Sequence, residues 1–159
     1  MYLVSACLAG FNTRYDGTNC LDERVQKLVL SGMALPVCPE QLGGLATPRN
    51  AVEFSSGDGA ALLDGTGEVR VSCISGAETG KSADPALFKV ALIRGARETL
   101  RIALDYGIKK AILKDGSPSC GSGYIYSCEG GHSCGRKRPG RGATAELLWR
   151  EGIEVEGVL

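Results

Sequence analysis

The sequence predicts a single α/β domain over residues 1–159, with a mainly parallel sheet and helices on both of its faces. Three observations lead to this fold class. Short apolar runs alternate with helical patterns along the chain, as in doubly wound folds. A length of 159 residues is typical of one domain. The sequence also contains no internal repeat and no linker that would divide it.

Four short apolar segments are the predicted parallel strands. Tyr2–Ala6 comes first, Ala34–Val37 second, Ala111–Leu113 third, and Ile153–Val158 closes the chain. Each of the first three runs into a loop that contains a cysteine. Residues Ala51–Val71 alternate only weakly around two Asp-Gly pairs, which predicts a hairpin or an irregular segment.

The longest predicted helix extends from about Pro85 to Tyr106, with Asp84 as its N-cap and Gly107 as its stop signal. Its apolar and small residues recur every three or four positions: Phe88, Ala91, Leu92, Gly95, Ala96, Thr99, Leu100, Ala103 and Leu104. Shorter helices are predicted around Val25, Leu28 and Val29 and over Ala143–Glu151. Strands and helices in this order are typical of a Rossmann-like or flavodoxin-like domain.

The composition excludes several classes of protein. Lys and Arg together number 18, as do Asp and Glu, so the net charge indicates no nucleic-acid-coating protein. The short apolar N-terminus lacks the basic region of a signal peptide, and no apolar stretch approaches the roughly 18 residues of a membrane span. We therefore expect a cytoplasmic protein without a membrane partner. An odd number of cysteines, seven, indicates metal ligands, reactive thiols or buried side chains rather than disulfides.

Cys7, Cys38 and Cys120 each follow a predicted strand. Loops at the carboxyl ends of parallel strands converge, so we expect these cysteines to lie close together. Three neighbouring thiolates repel one another unless a cation neutralises them, which favours a metal centre. Iron–sulfur clusters are held by cysteine thiolates, and three ligands would leave one iron open to a substrate. Ordinary buried cysteines and a three-cysteine zinc site are the alternatives.

Several local motifs occur together and in a fixed order. They are Ser5-Ala6-Cys7-Leu8-Ala9-Gly10, Arg14-Tyr15-Asp16-Gly17, Cys38-Pro39-Glu40 with Gly43-Gly44-Leu45 and Pro48-Arg49, Ala111-Ile112-Leu113-Lys114, Ser117-Pro118-Ser119-Cys120-Gly121, and Gly142-Ala143-Thr144-Ala145-Glu146-Leu147-Leu148. In this combination the chain resembles the thiouracil desulfidase family over nearly its whole length.

The resemblance implies a [4Fe-4S] cluster on Cys7, Cys38 and Cys120 with one open iron. It also implies a non-redox reaction in which water replaces the sulfur of a thiolated pyrimidine and hydrosulfide is released. The expected partner is a small thiolated base or nucleoside. No oligomeric state is predicted.

Four further residues are candidates for roles in this reaction, and the resemblance itself suggests the roles of Glu40 and Ser117. Glu40, two residues after Cys38, is the expected general acid/base, although it could instead cap the following loop. Ser117 is the expected contact to substrate or water. Ser119 is a further candidate for substrate binding, or for donating a hydrogen bond to a cluster sulfide. Asp16 could bind a pyrimidine N–H, although an Asp before a Gly is more typical of a turn.

Other interpretations stay open at this point. A cysteine persulfide enzyme would transfer sulfur without a metal, and a non-catalytic cluster-bearing or nucleotide-binding sensor would need no turnover. Cys128, His132 and Cys134 could bind a second metal, but their spacing matches no known site. The basic segment Arg136–Arg141 is the one place where nucleic acid could bind, although charge runs are usually solvated. Cys20 and Cys73 are interpreted as structural.

Overall fold

The computed structural model describes residues 1–72, 84–128 and 135–159. The strands are β1 (Tyr2–Ser5), β2 (Ala34–Val37), β3 (Ala51–Ser56), β4 (Glu68–Ser72), β5 (Lys110–Lys114), β6 (Tyr124–Ser127), β7 (Arg136–Pro139) and β8 (Glu154–Val158). The helices are α1 (Glu23–Leu30), α2 (Pro39–Leu42), α3 (Gly59–Leu63), α4 (Pro85–Asp105) and α5 (Ala143–Arg150), with a 3₁₀ helix at Ala6–Ala9. Within the described ranges the strands form two sheets, ordered β2-β1-β5-β8 and β4-β3-β6-β7.

The first sheet is parallel throughout and contains the four strands that the sequence predicts. Because side chains alternate along a strand, its two faces build separate clusters. Leu3 and Leu113 pack with Leu148 of α5 on one face, whereas Val4 packs with Val25 of α1 on the other. The α/β class, with a mainly parallel sheet covered by helices on both faces, is therefore confirmed.

The second sheet is an addition that the sequence did not predict. Residues 51–72 do form the expected antiparallel hairpin, as β3 and β4, with α3 between them. Strands β6 and β7, however, come from a glycine- and arginine-rich segment that was expected to be a loop. β6 pairs in parallel with β3 through Phe54 and Ser127. Phe54 and Ile125 are fully buried against α4 residues such as Leu92, so this sheet has its own apolar cluster.

Helix α4 begins and ends as predicted, and it holds α2 in place. The Asp84 carboxylate accepts a hydrogen bond from Ala86 N at 2.9 Å and caps the helix. A Cβ added to Gly95 would lie 1.9 Å from the carbonyl oxygen of Pro39, the first residue of α2. Glycine at this position thus allows the two helix backbones to touch. In the described part of the chain, no helix has both the length and the apolarity needed to cross a membrane.

Candidate functional site

A cavity of about 420 Å³ opens at the carboxyl ends of β1, β2 and β5, and Cys7, Cys38 and Cys120 all line it. Cys7 lies in the 3₁₀ helix that follows β1, and Cys38 comes directly after β2 at the N-cap of α2. Cys120 lies in the loop after β5 and is almost fully buried. The fold therefore brings together three cysteines that are far apart in sequence, in the manner typical of parallel sheets.

The surroundings of two of these thiols, Cys7 and Cys120, disfavour their ionisation in the metal-free protein. A hydrogen bond with Cys20 raises the pKa of Cys7 far above its ordinary value, and burial and the neighbouring Cys120 act in the same direction. Burial raises the pKa of the Cys120 thiol to about 12, and negative charge on Cys38 and Glu40 adds to this effect. Binding of an iron centre here would displace thiol protons, because thiolates are the ligands.

The donor set and its hydrogen-bonding groups fit an iron–sulfur cluster. Within the described residues, the buried hydroxyls Thr13 Oγ1 and Ser119 Oγ have no hydrogen-bond partner. Thr13 lines the cavity and its carbonyl accepts a hydrogen bond from Cys38 Sγ at 3.7 Å, while Ser119 precedes Cys120 in the chain. Both hydroxyls can donate to a sulfide, and such donors are common around clusters.

Within the described ranges, no three or more His, Cys, Asp or Glu side chains form a group that could hold a single metal ion. A four-iron cluster does not require its protein ligands to surround one ion. Each thiolate binds its own iron, and the body of the cluster keeps the sulfurs apart.

Glu40 and Ser117 line the same cavity and contact each other. The Ser117 hydroxyl donates to Glu40 Oε1 at 3.3 Å and accepts from the backbone N–H groups of Ser119 and Cys120, both at 3.1 Å. The second oxygen of Glu40, Oε2, accepts from Arg49 Nε at 2.5 Å. A carboxylate and a hydroxyl thus share a hydrogen bond beside the cysteines, as proton transfer requires.

Asp16 and Ser119 lie outside the residues that line the cavity. The Asp16 carboxylate accepts hydrogen bonds from Thr18 N and Thr18 Oγ1, at 3.0 and 2.6 Å. This is an Asx turn, the alternative that the sequence itself suggested for Asp16. Ser119 is completely buried and precedes Cys120 in the chain. Substrate binding by these two residues stays a prediction.

An aromatic part of the cavity wall was not predicted. Tyr15, Tyr124 and Tyr126 line the cavity, and the rings of the latter two meet edge to face with centroids 5.8 Å apart. The ammonium group of Lys137 lies 4.5 Å from the centroid of the Tyr124 ring. The only signal in the sequence was the alternating Tyr-Ile-Tyr of β6, which the surrounding glycines obscured.

Cys20 contacts the site, although the sequence suggested only a structural role. Its backbone N–H donates to the carbonyl of Cys7 at 3.1 Å, and the two thiols are hydrogen-bonded. The bond from Cys7 lowers the pKa of Cys20 to about 6 against the effect of burial, with help from the positive charges of Lys114 and Arg14. Among Cys7, Cys20 and Cys120, the thiols whose pKa is shifted, Cys20 is therefore the one most readily ionised in the cluster-free protein.

The basic segment Arg136–Arg141 is mostly strand β7, and several of its side chains have partners within the protein. Arg138 Nη2 donates to Gly57 O, and Arg141 stacks on Trp149 and pairs with Glu146. Nucleic-acid contact by this segment stays a prediction. Cys73, His132 and Cys134 lie outside the described residues, so the suggested second metal site with Cys128 is not described.

Comparison with known proteins places the chain in a family. The family model for 2-thiouracil desulfurase matches residues 2–157. The uncharacterized protein YbbK of Bacillus subtilis (strain 168) is 39% identical over 155 residues, which cover 98% of this chain and 93% of that protein. The solved structure of the [4Fe-4S]-dependent thiouracil desulfidase TudS is 37% identical, with a TM-score of 0.74 over 98% of this chain and 89% of that one. The chain belongs to the 2-thiouracil desulfurase family.

Proposed function

We propose that this protein is an iron–sulfur desulfidase for thiolated pyrimidines of the 2- or 4-thiouracil type. The reaction replaces C=S by C=O. Water supplies the oxygen, sulfur leaves as hydrosulfide with release of a proton, and no electron is transferred. The observation that carries the proposal is the convergence of Cys7, Cys38 and Cys120 on one cavity, in a chain of this family.

Cys7, Cys38 and Cys120 would hold a [4Fe-4S] cluster with one iron free of protein ligands. The similar structure TudS is named as [4Fe-4S]-dependent, which supports this cofactor. When bound, such a cluster supplies a Lewis-acidic iron that polarises a C=S bond and accepts sulfur. The buried hydroxyls of Thr13 and Ser119 would donate to it.

Glu40 and Ser117 would manage the protons of the reaction. Glu40 Oε1 is the oxygen that faces Ser117, so it is the atom at which a proton from water is accepted. The Ser117 hydroxyl accepts from two backbone N–H groups and donates its own proton to Glu40. All of its hydrogen-bonding capacity is then in use, so its role would be to hold Oε1 in place while that oxygen accepts a hydrogen bond from a neighbouring water. The proton that Glu40 accepts is available for the departing sulfur or the ring.

The cavity suits a small flat substrate. Its volume of about 420 Å³ lies in the range of small-molecule sites. The rings of Tyr124 and Tyr126 provide an aromatic surface against which a pyrimidine can pack. A free base or a nucleoside is therefore the proposed substrate.

The test is anaerobic purification or reconstitution, measurement of iron and sulfide per chain, and an assay of hydrosulfide release from 2- and 4-thiouracil. We expect C7A, C38A and C120A to lose iron and activity together, whereas C128A, which changes a cysteine outside the cavity, keeps both. E40Q should keep its cluster and lose turnover.

Each rival interpretation has its own result. Active protein without iron would support a persulfide route. Iron-loaded protein that is inert on every thiolated base would support a sensor. Retention of iron by all three single cysteine variants would refute the ligand assignment.

A further inference from the structure

We infer that Arg49 is a positioning residue: it orients Glu40 so that Oε1 faces Ser117, and it ties this carboxylate to the loop that follows Cys7. The inference rests on the proposed role of Glu40 and extends it to a residue outside the reacting groups. It gives Arg49 no contact with the substrate.

The Arg49–Glu40 pair is buried, whereas each of the other ion pairs among the described residues has at least one partly exposed side chain. The side chains of Arg49 and Glu40 are 7% and 12% exposed, and Nε donates to Oε2 at 2.5 Å. Because Oε2 is engaged by the guanidinium, Oε1 is the oxygen left for Ser117, at 3.3 Å. A charge-assisted bond of this kind fixes a carboxylate more strongly than a neutral hydrogen bond does.

The other donors of Arg49 are directed into the protein. Nη1 donates to Thr47 Oγ1 at 2.9 Å and to Ala46 O at 3.3 Å, and Nη2 donates to Thr13 O at 3.0 Å. A guanidinium has five N–H donors. Four of them thus have partners within the described residues. A guanidinium whose N–H groups already have these partners is not available to bind an anionic substrate group in bidentate fashion.

The contact with Thr13 links Arg49 to the cysteines. The carbonyl of Thr13 also accepts from Cys38 Sγ, and Arg49 N donates to Tyr15 O at 2.8 Å. Arg49 therefore joins the loop after Cys7 to the N-terminal end of α2, where Cys38 and Glu40 lie. Its removal should let Glu40 rotate without removing any proposed iron ligand.

A double-mutant cycle tests the inference in the iron-loaded protein. The variants are R49M, which keeps the length of the side chain without its donors, E40Q, the double variant E40Q/R49M, and R49K as the conservative replacement. We expect R49M to lower kcat about 100-fold, the loss typical of a catalytic group displaced by about 1 Å. The KM for thiouracil and the iron and sulfide per chain should stay close to wild type.

Two results would identify an action through Glu40. The kcat of E40Q/R49M should be no lower than that of E40Q alone. Loss of a positioning residue has no further effect on kcat once the group that it positions has already been replaced. R49K should recover part of the loss, because its ammonium can still pair with Oε2. R49M alone leaves Glu40 buried without its partner, so this variant could fail to fold. The double variant removes both charges and R49K keeps the pair, so these two variants still test the inference in that case.

Contrary results are equally clear. Losses that multiply in the double variant, a higher KM with unchanged kcat, or loss of iron in R49M would each overturn the inference. A crystal structure of R49M in which Glu40 still contacts Ser117 would overturn it without any assay. Failure of wild-type protein to release hydrosulfide from thiouracil would instead refute the proposed function, and the crystal structure would still test the orientation of Glu40.

Discussion

Replacement of Gly95 by alanine tests whether the contact between α4 and α2 sets the geometry of the site. The new methyl group would lie 1.9 Å from Pro39 O, whereas ordinary contacts begin at about 3.4 Å, so the helices must separate by about 1.5 Å. Pro39 lies between Cys38 and Glu40, and the clashing atom belongs to the backbone. The side chains proposed for iron binding and proton transfer would therefore move together.

The magnitude follows from two opposing effects. Overpacking typically costs about 1–3 kcal/mol, and a clash with a backbone oxygen corresponds to the upper end of that range. Alanine regains up to about 1 kcal/mol in a helix interior, so we expect a net loss of about 2 kcal/mol. Because a shift of about 1 Å is enough, kcat should fall about 100-fold. Urea unfolding and hydrosulfide release measure the two effects, with R97A on the exposed face of α4 as the control. G95A protein with wild-type stability and wild-type turnover would refute the reasoning.

Further predictions concern Cys20, Tyr126 and Ser117. Because the pKa of Cys20 is lowered to about 6, chiefly by the bond from Cys7, iodoacetamide should label Cys20 of the cluster-free protein between pH 6 and 7, as read by mass spectrometry. K114M should move this labelling to higher pH; labelling that begins only above pH 8 would contradict the expected ionisation. Y126A should raise the KM for thiouracil about tenfold, the effect of losing about 1.4 kcal/mol of ring packing, whereas Y126F should not; equal KM values in both variants would exclude packing by this ring. S117A leaves two backbone N–H groups without their acceptor, so it should lower the free energy of unfolding by about 1–3 kcal/mol and slow turnover; unchanged turnover would remove Ser117 from the proton path.

The fold could be predicted where local signals agree with burial. The apolar stripe, the Asp84 cap and the Gly107 stop signal all indicated α4, and apolar runs indicated the strands of the first sheet. Strand β7 was not predicted, because the sequence of Arg136–Pro139 resembles a solvated charge run and not a strand. It is an edge strand, whose pairing with β6 is a long-range contact that no local pattern encodes. Helix α3 has only five residues, and its capping residue, Asp58, belongs to one of the two Asp-Gly pairs that suggested a hairpin or an irregular segment.

The candidate site also has one part that the sequence predicts and one part that it does not. The positions of Cys7, Cys38 and Cys120 at strand ends were enough to predict that they converge, because parallel topology fixes where strand ends meet. The contact of Cys20 with Cys7 depends on how the intervening loop folds back, through a hydrogen bond between Cys20 N and Cys7 O. The loop is irregular, so spacing carried no information about this contact.

Gly116 explains how the two sheets can build one cavity. It lies just after β5, has a φ of +82°, and its backbone N–H donates to Tyr124 O at 3.1 Å. A Cβ at this position would lie 2.8 Å from the Tyr126 ring, so only glycine allows the turn to lie against β6. The same turn leads directly to Ser117 and then to Cys120. One close contact therefore sets the distance between the aromatic wall, where we expect the pyrimidine ring to pack, and the loop that supplies both a proton-path hydroxyl and a proposed iron ligand.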